Sequence, residues 1–470
     1  MLRTSIITIF IFLLLGGCGT SPAPTDAPVS PTATPIPTQT LIPTPTLLAT
    51  PTIIPTPLPD TLFVDPSVSL GPISPLVYGS NYGPWLVVSF DMLSAAYESG
   101  VTILRFPAGA WGDHNDVKAY HIDQFMDFAN KTGAAAIFSV RLLGGTPEQA
   151  AELVRYTNLE RKYNVQYWNI GNEPTLYNGE LKSKGETYDT DRFNQEWRTF
   201  AEAMKKVDPT IKLVGPEINQ FSHNTAPGAT TNFGEWDETW MIEFLKANGD
   251  LVDIVSFHRY PFPSSNRSGP PTIDELRKNA LEWDKIISYA RELIHEYAGR
   301  DLPIAVTEFN SAYDKAVGGE ATPDSHFNAI WMADVLGRMV RNGVFMANQW
   351  ALTAKGGSGG LGLVGQSEVL PSYYTYQMYK QFGNELIYSS SDDPDVSIYA
   401  ARREDGTLTV MIINLSLEEK TKAIRVGDQT QIQAETWLFD LTHQAENVGT
   451  MELSDTITIP PQSVTLYIVQ

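Results

Sequence analysis

From residue 61 onward, short continuous apolar runs alternate with longer stretches whose apolar residues recur at helical spacing. The runs number eight: Leu76–Ser80, Thr102–Phe106, Ala135–Val140, Gln166–Ile170, Lys212–Gly215, Val252–Phe257, Ile304–Thr307 and Phe345–Trp350. Unbroken apolar runs are what parallel strands show when both faces of the sheet are covered. Among the intervening stretches, Thr146-Pro147-Glu148-Gln149 offers an N-cap, a proline at the first helical position and a glutamine placed to close a capping box, which predicts a helix over 147–162. Phe193–Val207, Ile273–Tyr297 and Phe327–Arg341 predict further helices, with Gly299 and Gly343 as stops after two of them. Eight strand-then-helix units in about 320 residues predict an α/β fold, a (β/α)8 TIM barrel over 61–383. The competing doubly wound sheet wants a glycine-rich phosphate turn after its first strand, and Tyr78-Gly79-Ser80-Asn81-Tyr82-Gly83 is not one. Beyond Gly383 the period shortens to two at Val396–Arg402, Leu408–Asn414, Thr436–Leu441 and Val464–Val469, with an Asp405-Gly406 turn between the first pair. This predicts a small C-terminal antiparallel β-sandwich over 384–470, with residues 61–72 as a candidate strand pairing with it.

The first eighteen residues carry one basic residue, Arg3, an apolar run Ile6–Leu15 and then Leu15-Gly16-Gly17-Cys18. That is the pattern of a signal peptide, too short to span a bilayer. Cys18 resembles the lipobox cysteine of bacterial lipoproteins, which implies acylation at Cys18 and a chain anchored by lipid to the membrane at the cell surface or envelope; the alternative is ordinary secretion. Residues 19–60 repeat Pro and Thr with only Asp26 and Asp60 charged, a composition that favours an extended, disordered linker.

Composition narrows the ligand. With 33 Lys and Arg against 54 Asp and Glu, the net charge is −21, and such a surface repels nucleic acid at moderate salt. Ten Trp, 20 Tyr and 20 Phe supply a large core and leave rings for a binding surface. The single cysteine excludes disulfides, thiolate metal sites and a cysteine nucleophile in the folded part.

In a barrel of this kind the reacting groups stand at the C-terminal ends of the strands. Two glutamates follow the fourth and seventh runs, in Trp168-Asn169-Ile170-Gly171-Asn172-Glu173-Pro174 and Val306-Thr307-Glu308-Phe309-Asn310. Strands four and seven face each other across the mouth, as a pair of carboxyls cleaving a glycosidic bond requires. Glu217, in Gly215-Pro216-Glu217, is a third carboxyl at the mouth and the rival for one of the two roles.

Asn172-Glu173 and Glu308 in these settings resemble the signature of the large clan of retaining (β/α)8 glycoside hydrolases. Thr307-Glu308-Phe309-Asn310-Ser311 is similar to the β-xylosidase-type segment, and Gly171-Asn172-Glu173 with Leu104-Arg105-Phe106-Pro107-Ala108-Gly109 is closer to arabinofuranosidases. The resemblance implies that Glu173 is the acid/base, Glu308 the nucleophile and Asn172 a partner of the sugar 2-hydroxyl. It implies that His258 and Tyr260, after the sixth run, orient the nucleophile and touch the sugar. Arg105 is expected to neutralise Glu308 and hold its pKa low. Trp350 is a candidate subsite floor. Trp111 and Asn115, with Trp85, Asp113 and His114 nearby, are candidates for stacking and hydroxyl contacts.

No histidine pair has metal-ligand spacing, so neither a metal nor a cofactor is expected. Lys355-Gly356-Gly357-Ser358-Gly359-Gly360 lacks the rest of a phosphate loop and reads as a flexible flap over the cleft. The expectation is a retaining O-glycosyl hydrolase acting by double displacement on plant-type poly- or oligosaccharides, best an α-L-arabinofuranoside or β-xyloside. An endo-acting β-glucanase or galactanase and a non-catalytic surface glycan-binding protein are the alternatives.

Overall fold

A computed structural model describes residues 58–222, 234–264, 267–428 and 432–470. The signal peptide with Cys18 and nearly all of the Pro/Thr-rich linker lie outside the described residues. No helix among those described is long and apolar enough to cross a membrane.

Eight parallel strands close into a barrel in chain order: β2 (Gly79–Asn81), β3 (Ile103–Phe106), β4 (Ala135–Val140), β5 (Tyr167–Ile170), β6 (Lys212–Ile218), β7 (Ile254–Arg259), β8 (Ile304–Phe309) and β9 (Met346–Gln349). Preceding them is β1 (Thr61–Pro72); after them come β10 (Glu385–Ser390), β11 (Val396–Arg402), β12 (Leu408–Asn414), β13 (Lys420–Val426), β14 (Ile432–Phe439), β15 (Gln444–Leu453), β16 (Thr456–Ile459) and β17 (Ser463–Val469). The bottom of the barrel is plugged by Leu76, Ile103, Ile137, Tyr167, Val214, Ile254, Ala305 and Met346, so only the opposite end offers room for polar groups.

The expected helices form, with two corrections. Thr146 and Gln149 close their capping box, but the helix is α only over Pro147–Val154 and widens to a π-helix over Arg155–Glu160. There Asn158 turns inward and clasps both the N–H and C=O of Val165, at 2.8 and 2.9 Å. The single helix expected over 273–297 is two, Ile273–Asn279 and Glu282–Ala298. The joint carries Glu282, buried against the Arg259 guanidinium and the Asn279 amide, and the helix bends to bring it there.

The C-terminal region is one nine-stranded sheet in the order β15-β14-β17-β12-β11-β10-β1-β13-β16. Its ends curl toward each other, since Ile432, Ala434 and Leu453 share an apolar core with Ile424, Ile457 and Ile459. The sheet is antiparallel except for one pairing, because β1 runs antiparallel to β10 and parallel to β13. Its other face sits on the barrel helix His326–Arg341 through a buried network: Arg338 Nε donates to Asp334 Oδ2 at 2.8 Å, Tyr399 Oη to Asp334 Oδ1 at 2.6 Å, and Arg338 also pairs with Asp284. Gly337 lies under the Tyr399 ring, where any Cβ would collide with it.

Candidate active site

Three features of the backbone aim the polar groups at the open end. The register slips at β6/β7 around Glu217, at β7/β8 between Phe257 and His258, and at β8/β9 between Val306 and Phe309. Such bulges re-aim a side chain without breaking the ladder. Glu173 and Glu217 both sit at positive φ, 50° and 60°, each at or just past the end of its strand. Glu173 N–H donates to the Glu217 carbonyl at 3.1 Å, which ties the two turns together.

Arg105, fully buried on β3, is the hub. Its Nη1 donates to Glu308 Oε1 at 2.8 Å and to Asn81 Oδ1 at 3.2 Å. Its Nη2 donates to Asn172 Oδ1 at 2.9 Å and pairs with Glu217 Oε2 at 2.7 Å. His258 bridges on the other side: Nδ1 lies 3.0 Å from Glu173 Oε1 and Nε2 lies 3.2 Å from Glu217 Oε2. Tyr260 Oη donates to Glu308 Oε2 at 2.7 Å. One atom each of Glu173, His258 and Glu308 lie within 4.8 Å of one another.

The three carboxyls differ in what is left open. Glu217 is wholly enclosed, with Oε1 taking the Thr307 hydroxyl at 2.9 Å and Oε2 taking Arg105 and His258. Burial pushes its pKa up, but Arg105 and His258 outweigh that and hold it at about 2. A permanently charged carboxylate with no free face serves as an anchor for the two cations, which removes it as a rival for a reacting role. Glu308 goes the other way: burial raises its carboxyl, Glu173 adds to the rise, and His258 and Arg105 offset it only in part. Arg105 does pull Glu308 down, as expected, but burial and Glu173 leave the carboxyl raised overall. Glu173 keeps 18% of its side chain exposed and faces the cleft.

His258 loses by desolvation but gains more from Glu308, Glu173 and Glu217, which lift it to about 9. It is an imidazolium at neutral pH, donating to Glu173 and Glu217; its contact with Glu308 is longer, 3.6 Å, so it is less a partner of Glu308 than expected. Tyr260, buried beside two carboxyls, is raised well above 10 and stays a donor. Glu173, His258 and Glu308 are also the set that geometry would offer a metal ion, but both Glu308 oxygens already accept from Arg105 and Tyr260.

The remaining expected residues divide. Asn172 joins the cluster, its N–H held by Asp113 Oδ2 at 2.8 Å. Asp113 is buried and receives Leu142 N–H at 3.0 Å and the Tyr177 hydroxyl, so it anchors loops instead of contacting a ligand. Trp350 is half-buried with its indole against Gly109, where a Cβ would come within 2.6 Å of the ring. Trp111 stands on the rim, stacked on Trp85 with centroids 5.9 Å apart. Asn115 is not brought into the site; its amide is spent on the Trp111 carbonyl at 3.0 Å. His114 pairs with Glu180 on the surface. The glycine run expected as a flap forms a 3-10 turn over Gly356–Leu361, and Gly360 and Leu361 are packed down. Asn81 and Thr307 escaped the sequence reading, although both are polar residues at the ends of apolar runs.

An eight-stranded barrel whose mouth gathers a part-exposed carboxyl and two buried ones around a guanidinium and an imidazolium defines the class, and comparison with known proteins agrees. Residues 148–425 match the family model of glycosyl hydrolases family 39, and the chain belongs to that family. It is 25% identical over 320 residues to heparanase of Bos taurus, covering 63% of this chain and 53% of that one. It is 22% identical over 267 residues to an exo-α-(1→6)-L-arabinofuranosidase of Bifidobacterium longum, covering 47% and 48%. The chain thus spans about half the length of these curated relatives. The crystal structure of α-L-arabinofuranosidase from Thermotoga maritima in an arabinose complex superposes with a TM-score of 0.67 at 19% identity, over 87% of this chain and all of that one, so the fold is shared.

Proposed function

We propose that the chain is a retaining glycosidase in which Glu308 is the nucleophile and Glu173 the acid/base. The observation that carries this is the placement of one oxygen of each carboxyl within 4.8 Å of the other, compatible with the close spacing of retaining enzymes. In the first step a Glu308 oxygen bonds to the anomeric carbon as the leaving oxygen departs with the Glu173 proton. In the second, Glu173 takes a proton from water, the hydroxyl bonds to the anomeric carbon, and the Glu308 ester bond breaks.

The charges suit that cycle. Arg105 and the His258 imidazolium offset Glu217 and Glu308 as carboxylates, and of the three carboxyls Glu173 has the most exposed side chain. Asn172, its carbonyl oxygen fixed by Arg105, presents its amide Nδ2 to the sugar 2-hydroxyl. The best substrate is an α-L-arabinofuranoside, favoured by the arabinofuranosidase among the relatives, with a β-xyloside next. Acylation at Cys18 and tethering by the Pro/Thr-rich segment complete the reading of an envelope-anchored enzyme.

A nitrophenyl glycoside panel tests it. Wild type is expected to release nitrophenol from the α-L-arabinofuranoside or β-xyloside, and Glu308→Ala to lose about 10⁴-fold in kcat, the scale of removing a member of a covalent machinery. A Glu308→Ala variant that keeps wild-type turnover ends the assignment.

A further inference from the structure

The cleft wall built by β2 and β3 does not stop at the catalytic cluster. Trp111 opens the short helix Trp111–His114 whose Asp113 holds Asn172 N–H, so its ring is fixed relative to the reacting carboxyls. Trp85 stacks on it at 5.9 Å with the planes 20° apart. On its other side the His121 ring stands edge-on at 5.7 Å, and Tyr120 lies against His121 at 4.1 Å with 57% of its surface exposed. Four rings thus form one connected strip, from part-buried Trp85, Trp111 and His121 to exposed Tyr120. None carries a charge: His121 Nδ1 accepts the Lys118 N–H at 3.2 Å, and burial together with Lys118 lowers its pKa. Nearby, Asp116 is paired with both Lys118 and Arg141.

Contiguous half-exposed rings on a soluble surface mark a binding site, and flat apolar faces rimmed by polar groups suit the CH faces of sugar rings. An anionic polymer would meet a chain of net charge −21, which leaves an uncharged one. We propose that Trp85, Trp111, His121 and Tyr120 form a stacking track that continues the substrate cleft outward and holds further sugar rings of an uncharged polysaccharide. This rests on the glycosidase reading and gives its substrate class: a polymer, gripped well away from the bond that is cut.

The test uses the full chain, with soluble arabinoxylan and arabinan as probes in affinity gels. Tyr120→Ala is expected to weaken retardation about tenfold, or about 1.4 kcal/mol. Tyr120→Phe, which keeps the ring, is expected to bind as wild type. Kinetics on the same polymers should show Tyr120→Ala losing about tenfold more in kcat/KM than it loses on nitrophenyl arabinofuranoside. Hydrolysis of the nitrophenyl glycoside with no retardation by either polymer, or equal retardation of wild type and Tyr120→Ala, overturns the track and leaves the hydrolase standing. Retardation that depends on Tyr120 in a protein hydrolysing no glycoside overturns the hydrolase and leaves the track.

Discussion

Two buried arginines hold the molecule together in different ways. Arg338, at the seam between barrel and sheet, meets Asp334, Asp284 and Ser397, and Asp334 is completed by the Tyr399 hydroxyl. Burial raises the Asp334 carboxyl, but Arg338, Ser397 and Tyr399 outweigh it, so the acid is lowered and stays charged. Nothing in that network is poised to exchange a proton. Arg105, at the barrel mouth, is divided among Glu308, Glu217, Asn172 and Asn81, and its Nε finds no hydrogen-bond partner among the described residues. Three carboxyls compete there for one guanidinium and one imidazolium. One acid, Glu217, is held at about 2 while another, Glu308, is raised. The seam spends its charges on rigidity, and the mouth leaves some unsettled.

The contrast breaks or holds on a pair of variants. Asp334→Asn and Glu217→Gln each remove one partner from a buried ion pair, which costs about 3–5 kcal/mol of stability. Chemical denaturation should show both losses. Only Glu217→Gln should also lower kcat, because it frees Arg105 and His258 to shift against Glu308. If Asp334→Asn depresses kcat in the folded fraction as strongly, the two networks are not functionally distinct.

Titration gives a smaller effect with opposite signs at the two ends of the pH scale. Glu217 is lowered in the folded state, so its contribution is present above its unfolded pKa of 4.5 and is lost as pH falls toward about 2. His258 is raised, so its contribution is present below 6.5 and is lost as pH rises through about 9. Each is worth on the order of 3 kcal/mol by linkage. These two contributions are together full between pH 4.5 and 6.5 and fall away on both sides, while the raised carboxyls Glu308 and Asp237 tilt the whole curve downward as pH rises through that window. His258→Gln should flatten the alkaline decline and also shrink the acid one, because it removes one of the two cations that hold Glu217 down; an alkaline decline of unchanged size in that variant assigns it elsewhere.

The same contrast explains what could be read from the chain. The barrel was legible because strands buried on both faces must be apolar throughout, and Glu173 and Glu308 as candidates because such strands end where polarity returns. Glu217 stood out as a third carboxyl, but its enclosure depends on Thr307, Arg105 and His258, which are 90, 112 and 41 residues away. No local signal reports such a meeting. Strands β13 and β15, Lys-Thr-Lys-Ala-Ile-Arg-Val and Gln-Ala-Glu-Asn-Val-Gly-Thr-Met-Glu-Leu, carry too few buried positions to show a period of two, since most residues of each strand are exposed or part-exposed. Helix 273–297 broke because a buried Arg259–Glu282 pair outweighed a continuous helical pattern.

Tyr260→Phe isolates the smallest difference. Its hydroxyl is the sole donor to Glu308 Oε2 among the described hydrogen bonds, and its ring is fixed edge-on to Tyr313 at 5.5 Å, so the phenylalanine keeps the packing and loses one hydrogen bond. A bond to a charged acceptor is worth about 1.5–3 kcal/mol, or about 10- to 100-fold. The bond lowers the Glu308 pKa, so its loss raises an already raised carboxyl and moves the acid limb of kcat/KM to higher pH. At the seam the equivalent change, Tyr399→Phe, removes the donor to Asp334 Oδ1 but leaves Arg338 on the other oxygen. It should cost stability and leave the pH profile where it was. An acid limb that stays put in Tyr260→Phe would mean that Glu308 does not set it, and that the unsettled charge at the mouth belongs to another group.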